Sequence, residues 1–382
     1  MKLIKYKLGD LIRQRRQKND SNDLPICGVT RDGFIPPKQQ DADTSLYNVF
    51  YLKDFVFNPA RMELNSIVFN DRYEKAICSS LYEVFYVHRP EVILPEYLAL
   101  LVKQDWFTRY CEFMGSGSAR EYCRVANISE LEIEVPPIEF QAEMARDNQI
   151  IRDRIELKRQ INDNLEATAQ AFFQEQFASY YGADELPNGY NLVTLDTLCT
   201  VKGGKRLPAG CELLDTATEH PYIRVRDVGS SRYVCLTDQF QYIGEETHSA
   251  ISRYIVNTDD IVVSIVGTIG LLGKVHSSLN KANLTENCVK LADIHTVTSD
   301  YLYYTLCYKK QIKEIELLTV GAVQAKLPMY NIQSMKILVP PTDVIKDFQD
   351  KMNVFNRQIE ANTVEIQRLY ELQGVLLAKL SD

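Results

Sequence analysis

The stretches "EVPPIEF" (residues 134–140) and "LVPPTDV" (residues 338–344) each place two prolines between an apolar strand end and a long helical pattern. Consecutive prolines fix an extended backbone and lack N–H donors, so they end a strand and suit the first turn of a helix. The two stretches are 204 residues apart. The presence of two such junctions suggests that the chain contains an internal duplication.

The offset of 204 also holds for the residues that precede each pair of prolines, back to Val84, without an insertion. The matching positions are Tyr97-Leu98 with Tyr301-Leu302, Gly117 with Gly321, and Asn127-Ile128 with Asn331-Ile332. At an offset of 206, "DFVFNPARMELNSIVF" (54–69) matches "DIVVSIVGTIGLLGKV" (260–275), and each stretch predicts two apolar strands joined by a turn. At an offset of 187, "YKLGDLI" (6–12) matches "VTLDTLC" (193–199). The sequence therefore predicts two copies of one mixed α/β unit, with loops of different length.

Length and composition fit this arrangement. A chain of 382 residues with 45% hydrophobic and 25% charged residues is typical of a globular protein with two or three domains. The net charge is −8, of which residues 1–135 contribute −1 and residues 183–339 contribute −2. Both large segments are nearly neutral, so the total charge neither establishes nor excludes local basic faces that bind nucleic acid.

The chain shows no sign of a membrane, secreted or metal-binding protein. It has no apolar run long enough to span a bilayer and no recognisable secretory signal. Its nine cysteines are dispersed without a CxxC pair, which favours reduced thiols in a cytoplasmic protein. The five histidines show no ligand spacing, so we expect neither a metal nor a cofactor.

Long amphipathic helices follow both pairs of prolines. Behind Pro341 the apolar residues fall into heptads, interrupted by the polar residues Asn362 and Gln373. The apolar positions are Ile345, Phe348, Met352, Phe355, Ile359, Ile366, Leu369, Leu376 and Leu380. Behind Pro137 the less regular stripe is Met144, Ile151, Ile155, Ile161, Leu165, Ala169 and Phe172. The two helices could bury these stripes against each other, or each could bind a helix of a separate partner.

Several stretches together resemble the specificity subunit of type I restriction–modification systems. They are "ATAQAFFQEQF", "DIVVSIVGTIGLLGKV", "LTENCVKL" and "GAVQAKLPMYNIQSMKILVPP". The resemblance implies an α+β fold with two tandem target-recognition domains, each reading one half of a split double-stranded DNA site. It also implies two long helices that form an antiparallel coiled coil, set the spacing and dock two methyltransferase subunits, in a complex with restriction–translocase subunits.

The resemblance and the double prolines together divide the chain into four parts. We expect the first target-recognition domain at 1–137, the central helix at 138–182, the second domain at 183–341 and the carboxy-terminal helix at 342–382. Different loops in the two domains would allow the two half-sites to differ in sequence.

Candidate DNA contacts are basic and polar residues in strands and loops, because phosphates bind Lys and Arg while base edges bind polar side chains. Basic runs follow the matching strands in "IRQRRQK" and "VKGGKRL", and Arg224 and Arg226 alternate along a predicted strand. The candidates are Arg13, Arg15, Arg16, Lys18, Ser116, Ser118, Arg120, Lys202, Lys205, Arg206, Arg224, Arg226, Thr268, Asn287, Gln324 and Lys326. The alternatives are solvated surface loops and, for the two arginines, ion pairs with Asp227.

Catalytic motifs are not evident. "FNPA" (57–60) has Ala60 where an adenine methyltransferase would need a second proline, and "TIGLLGKV" lacks the first glycine and the final Ser/Thr of a phosphate loop. We therefore expect a non-catalytic recognition subunit. A coiled-coil adaptor that binds only proteins, and a methyltransferase or nuclease with an unrecognised site, are the alternative functions.

Overall fold

A computed structural model describes residues 3–21, 23–31, 33–37, 43–115, 122–229, 231–237, 240–321 and 325–380. The chain divides into two compact units. The first unit contains residues 1–155 and 368–382, and the second contains residues 156–367. Each unit therefore includes a part of both long helices.

The first unit is built from two antiparallel-rich sheets, three short helices and parts of the two long ones. Its strands are β1 (Ile4–Lys7), β2 (Ile12–Arg15), β3 (Ile26–Thr30), β4 (Gly33–Ile35), β5 (Asn48–Tyr51), β6 (Phe55–Phe57), β7 (Ile67–Phe69), β8 (Lys75–Cys78), β9 (Glu83–Val87) and β10 (Glu132–Val135). The helices that follow in the chain are α1 (Pro95–Leu101), α2 (Asp105–Gly115), α3 (Val125–Ser129) and the long α4 (Ile138–Phe177).

The strand order of the first unit shows where its hydrophobic core lies. One sheet runs β2-β9-β6-β7 and the other runs β4-β3-β8-β5, while β1 pairs with β10. Val56, Val68 and Val84 lie in one buried cluster with Val29 and Phe50 of the second sheet. Because side chains alternate along a strand, Phe55 and Phe85 point the other way, where their rings stack 4.8 Å apart. The sheet β2-β9-β6-β7 is thus apolar on both faces.

The second unit repeats this plan. Its strands are β11 (Asn191–Thr194), β12 (Thr200–Gly203), β13 (Tyr222–Ile223), β14 (Tyr233–Val234), β15 (Ile261–Ser264), β16 (Leu272–Val275), β17 (Asn283–Leu284), β18 (Cys288–Ala292) and β19 (Lys336–Val339). Its helices are α5 (Glu245–Ala250), α6 (Ser299–Leu306), α7 (Lys309–Leu318), α8 (Met329–Ser334) and the long α9 (Thr342–Ala378).

Matching elements confirm the predicted duplication. The first and last strands of each unit pair with each other, β1 with β10 and β11 with β19. The order β2-β9-β6-β7 recurs as β12-β18-β15-β16. The predicted pair of strands in each copy is also present, because β6 pairs with β7 and β15 pairs with β16, both antiparallel. A difference lies at the edge, where β14 extends the sheet of the second unit beyond β16.

The long helices pack against each other, as their apolar stripes predicted, and they run in opposite directions, as the resemblance implied. In the second unit, Phe172 of α4 stacks on Phe348 of α9 at 6.1 Å, and the Lys158 ammonium lies 2.8 Å from the Glu365 carboxylate. In the first unit, the Gln373 amide donates to Asn148 Oδ1 over 2.8 Å. As the residue number falls along α4 it rises along α9, which defines an antiparallel coiled coil.

Candidate DNA interface

In the second unit, the basic segment after β12 is held by backbone hydrogen bonds. Lys205 N donates to Leu284 O over 2.8 Å, and the Tyr222 hydroxyl donates to Lys205 O over 2.7 Å. A Cβ on Gly204 would lie 2.0 Å from Thr285 O, so this glycine allows a close approach to the chain's own backbone. Lys205 is exposed, and its ammonium group lies 5.8 Å from the centre of the Tyr254 ring.

The two basic neighbours of Lys205 are also exposed. Lys202 lies on β12, and the Arg206 guanidinium donates to Glu286 Oε1 over 2.7 Å. Partial burial, the largest single effect, would raise the pKa of Glu286, but hydrogen bonds from Arg206, the Glu286 N–H and Thr285, together with the charge of Arg206, outweigh burial and lower that pKa. The pair keeps Arg206 beside the turn that carries Glu286 and Asn287, just before β18, while leaving most of its side chain in solvent.

Two further loops of the second unit, which carry Thr268 and Lys326, lie near Asn287 and the 202–206 segment. Ile265 N donates to Asn287 O over 2.8 Å, and Leu327 N donates to Ile265 O over 2.9 Å. Lys326 forms bridges with Val266 and with Val320. The exposed Thr268 lies in the turn that starts at Val266. The structure thus brings Thr268, Asn287 and Lys326 together with the 202–206 segment through consecutive backbone contacts.

Arg224 and Arg226 do not alternate along a strand, so that prediction is wrong. β13 ends at Ile223, and Val225–Asp227 forms a 3-10 turn. The Asp227 carboxylate accepts the Arg224 N–H over 2.8 Å and its Nε over 3.2 Å, while Gln241 accepts from the same guanidinium. The Arg226 guanidinium lies 3.6 Å from Asp227 and is largely exposed. The alternative of pairing with Asp227 is therefore the observed geometry.

The candidates of the first unit lie on and after β2. Arg13 donates to Gly9 O and Ile12 O, Arg16 donates to Gln14, and Lys18 donates to Leu46 O and Asn48. These three basic side chains are exposed. Each makes hydrogen bonds to uncharged groups, so its positive charge remains available to an anion.

Arg15 differs from its basic neighbours. Its guanidinium lies 2.6 Å from the buried Asp54 carboxylate and between the rings of Tyr51 and Tyr86, at 4.8 and 4.6 Å from their centres. Burial would raise the pKa of Asp54, and it does so despite the opposing hydrogen bond from Arg15. Arg15 thus ties β2 to the turn before β6.

The edge strands β2 and β12 of the two units both carry basic residues. β2 pairs with β9, and β12 pairs with β18, which takes the place of β9 in the second unit. Arg13 lies on β2 and Arg16 just after it, while Lys202 lies on β12 and Lys205 just after it. Both units therefore present exposed basic side chains on and just after the same edge strand of the same sheet.

Four of the candidate DNA contacts lie outside the residues that the structure describes. Ser116, Ser118, Arg120 and Gln324 belong to the segments that the structure does not describe. Among the residues it does describe, no three His, Cys, Asp or Glu side chains are placed to hold a metal ion. No helix in that same part of the chain is long and apolar enough to cross a membrane.

A buried ionic cluster in the second unit was not predicted from the sequence. Asp300 accepts from Arg232 and Lys274, and its second oxygen accepts from Gln349 and Asn356 of α9 over 2.7 and 2.6 Å. Burial alone would raise the pKa of Asp300, but the two cations outweigh it and hold that pKa well below its usual range.

The same cluster reaches the other long helix. Arg232 also lies 3.4 Å from Glu166 of α4 and donates to the Tyr304 hydroxyl over 2.9 Å. Within the second unit, charged side chains therefore join the sheet β12-β18-β15-β16-β14 to both long helices, which fixes the position of the sheet on them.

Comparison with known proteins identifies the family. The model of the type I restriction modification DNA specificity domain matches residues 5–167 and 187–370, in two copies. The chain therefore belongs to this family, and it is a specificity subunit, a non-catalytic component that serves recognition.

Two curated relatives are similar over most of the chain. The type I restriction enzyme HindI specificity subunit of Haemophilus influenzae is 20% identical and covers 98% of both chains. The MjaIX specificity subunit of Methanocaldococcus jannaschii is 22% identical over 75% of this chain and 68% of its own length. Among solved structures, the crystal structure of a type I restriction–modification S subunit from M. genitalium has a TM-score of 0.52 at 16% identity, covering 99% of this chain and 96% of that one. It shares the fold.

Proposed function

We propose that the chain directs a type I restriction–modification complex to a bipartite double-stranded DNA target. The recognition domain at residues 1–137 reads one half-site, and the domain at residues 183–341 reads the other. The observation that carries this proposal is that the equivalent edge strands β2 and β12 both carry exposed basic residues on or just after them, Arg13 and Arg16 in the first unit and Lys202 and Lys205 in the second. Two similar basic edges on duplicated sheets are suited to two separate contacts with the phosphate backbone.

In this proposal, the loops that differ between the units contact the bases. In the second unit Thr268, Asn287 and Lys326 lie beside the basic segment and carry groups that hydrogen-bond base edges. The first unit has different loops at the matching places, so the two half-sites differ and the target need not be palindromic. Ser116, Ser118, Arg120 and Gln324 remain candidates for the same role.

The helices at residues 138–182 and 342–382 set the distance between half-sites. An α-helix rises about 1.5 Å per residue, so paired helices provide a stiff spacer whose length is fixed by residue number. The helices also offer matching docking points. Ile150 of α4 and Val354 of α9 are counterparts at the offset of 204, and their exposed fractions are 57% and 59%. Two equivalent apolar positions support the docking of two methyltransferase subunits, joined in the complex by restriction–translocase subunits.

A substitution that removes one positive charge tests the DNA interface in the cytoplasmic complex. With the methyltransferase subunits bound, Lys205→Ala should reduce the dependence of DNA affinity on salt by about one unit of slope, the amount expected for one lost phosphate contact. Lys313→Ala removes an equally exposed lysine from α7 and should leave the slope unchanged. Equal slopes for all three complexes would contradict the interface. A complex without salt-sensitive DNA binding would favour the protein-only adaptor.

A further inference from the structure

The recognition sheets of the two units end differently at one edge. In the second unit, β14 runs parallel to β16, with Lys274 N donating to Arg232 O over 2.7 Å and His276 N donating to Val234 O over 3.0 Å. The matching strand of the first unit is β7, which is the last strand in the order β2-β9-β6-β7. No described strand of the first unit takes the place of β14.

The hydrogen-bond register shows which backbone groups of β7 face this edge. Asn58 N donates to Ser66 O and Asn70 N donates to Asp54 O, so the alternation of an antiparallel ladder makes Val56 and Val68 the bonded pair between them. Phe69 therefore turns its N–H and C=O away from β6. Ile67, whose backbone groups also turn away from β6, already donates to Asn65 O over 2.8 Å and accepts from the Lys103 ammonium over 2.6 Å. The backbone groups that an extended chain could bind are therefore those of Phe69.

The second unit shows that the equivalent position does bind a strand. Val275 N donates to Asp260 O and Ser264 N donates to Leu271 O, so the same alternation turns Lys274 outwards. Counting from the bonded pairs, Lys274 is the counterpart of Phe69. The N–H of Lys274 is bonded to the β14 segment, as described above.

A cavity of about 590 Å³ lies at the outer edge of β7, wholly within the first unit. Val68, Phe69 and Phe34 contribute apolar side chains to its wall. Arg31, Arg72 and Arg146 contribute guanidinium groups, and all three side chains are exposed. The site thus combines the open backbone groups of Phe69, an apolar wall and a rim of basic side chains.

The charges of this cavity are not balanced within the first unit. Arg152 lies 3.4 Å from Asp71, and Glu96 lies 2.9 Å from Lys53, so the two carboxylates at the cavity already have cationic partners. Arg31, Arg72 and Arg146 form no ion pair within the described part of the chain. A ligand that fills the cavity would therefore be favoured by negative charge.

We propose that β7 is a docking edge for an extended acidic segment of a partner protein, which adds a further strand to the sheet. Backbone hydrogen bonds to Phe69 would align the segment, and alternate side chains would face the apolar wall and the arginines. The observation behind this proposal is internal, because the second unit fills the equivalent edge with its own strand β14. The site is separate from the DNA interface, so neither proposal depends on the other.

Peptide binding to the full-length chain tests the proposal without DNA. A short fluorescein-labelled peptide of alternating aspartate and valine should bind, as measured by fluorescence anisotropy, and a lysine–valine peptide should not. An aspartate–valine peptide with a methylated backbone should also fail to bind, because it lacks the N–H groups that a ladder needs.

Charge reversal locates the bound peptide. Arg72→Glu combined with Arg146→Glu should weaken peptide binding by about tenfold or more, since close interfacial charges couple strongly. Arg61→Glu combined with Arg109→Glu changes two exposed arginines of the same unit away from the cavity and should have little effect. Thermal unfolding of both variants should match the parent chain.

Three results would overturn the docking edge. They are equal binding of the acidic and basic peptides, retained binding of the methylated peptide, and equal effects of the two double variants. Displacement of the peptide by a duplex oligonucleotide would instead show that the arginines bind nucleic acid, which also rejects the proposal.

Discussion

The positions of Lys205 and Arg206 depend on the close backbone packing at Gly204. Its neighbours Leu284 and Thr285 place carbonyl oxygens 2.4 and 2.0 Å from the position that a Cβ would occupy. These are backbone atoms of a buried segment and cannot move aside as a flexible side chain would. A side chain at residue 204 must therefore displace the basic segment.

Gly204→Ala is expected to destabilise the second unit by about 1–3 kcal/mol, the usual cost of forcing extra atoms into a packed region. It should also weaken DNA binding by the assembled complex, because Lys205 and Arg206 shift. Gly203→Ala is the matched control, since its Cβ would meet only Met329 Sδ at 3.8 Å. Thermal unfolding and DNA affinity would test both. Equal behaviour of the two variants would contradict the role given to Gly204.

Asp300 is the anion on which Arg232 and Lys274 depend. Asp300→Asn should lower the free energy of unfolding by about 3–5 kcal/mol at neutral pH, because two buried cations lose their shared counterion. Because the folded-state pKa of Asp300 lies below the usual value of about 3.9, its contribution is complete above that pH and is lost as the pH falls towards the folded pKa. The difference between variant and parent should therefore shrink below a pH of about 4.

Denaturant unfolding at several pH values measures this effect. Asp347→Asn breaks an ion pair with Lys351 in which both side chains are about half exposed, and it should cost less than about 1 kcal/mol. Similar losses for Asp300→Asn and Asp347→Asn, or a loss that does not change with pH, would show that the buried cluster does not stabilise the second unit.

Among the elements, the coiled coil is organised around a buried polar group. Asn362 of α9 is 1% exposed, and it accepts from Lys158 over 3.1 Å and donates to Asn162 over 2.8 Å, both on α4. A polar residue at a core position of a coiled coil costs stability and specifies the register of the partners. Asn362 thus favours the observed alignment of the two helices over neighbouring ones.

Asn362→Ala should lower the stability of the second unit by about 1–3 kcal/mol, because the Asn162 amide and the Lys158 ammonium each lose a hydrogen bond in a partly buried site. Asn353→Ala, at an exposed position of the same helix, should change stability by less than about 0.5 kcal/mol. Hydrogen exchange along α9 and thermal unfolding would compare them. An unchanged exchange rate around Asn362 would contradict this assignment.

The elements also show what sequence patterns can predict. Ile345, Met352 and Ile359 are buried as the heptads indicated, because regular spacing reports directly on the face that a helix buries. Phe173 and Phe177 of α4 were missed, although both are fully buried. They pack on Tyr301, at 5.6 and 5.2 Å, so this end of α4 belongs to the core of the second unit as well as to the coiled coil.

Local and distant polar contacts explain the remaining differences. Alternation predicted a strand through Arg224, but the Asp227 carboxylate closes a turn there by accepting a backbone N–H, which no periodicity reveals. Charged Arg232 and Lys274 suggest surface positions, and the partner that buries them, Asp300, follows 68 residues after Arg232. The basic segments were proposed as DNA contacts from the sequence, whereas their placement at the same edge of equivalent sheets required the strand order.

For the whole molecule, we propose that each recognition domain reads its own half-site. Because the copies match at both ends, one can replace the other at equivalent backbone positions. Residues 190–339 can stand in place of residues 3–135, since β11 corresponds to β1 and β19 corresponds to β10. The resulting chain carries the second recognition domain twice on unchanged helices.

Mapping of methylated positions after assembly of this chimera with the methyltransferase subunits is the most direct test. We expect a new target in which the second half-site of the parent occurs twice, because the second recognition domain has replaced the first. A target identical to that of the parent, or a new target without the repeated half-site, would contradict the claim that each domain reads one half.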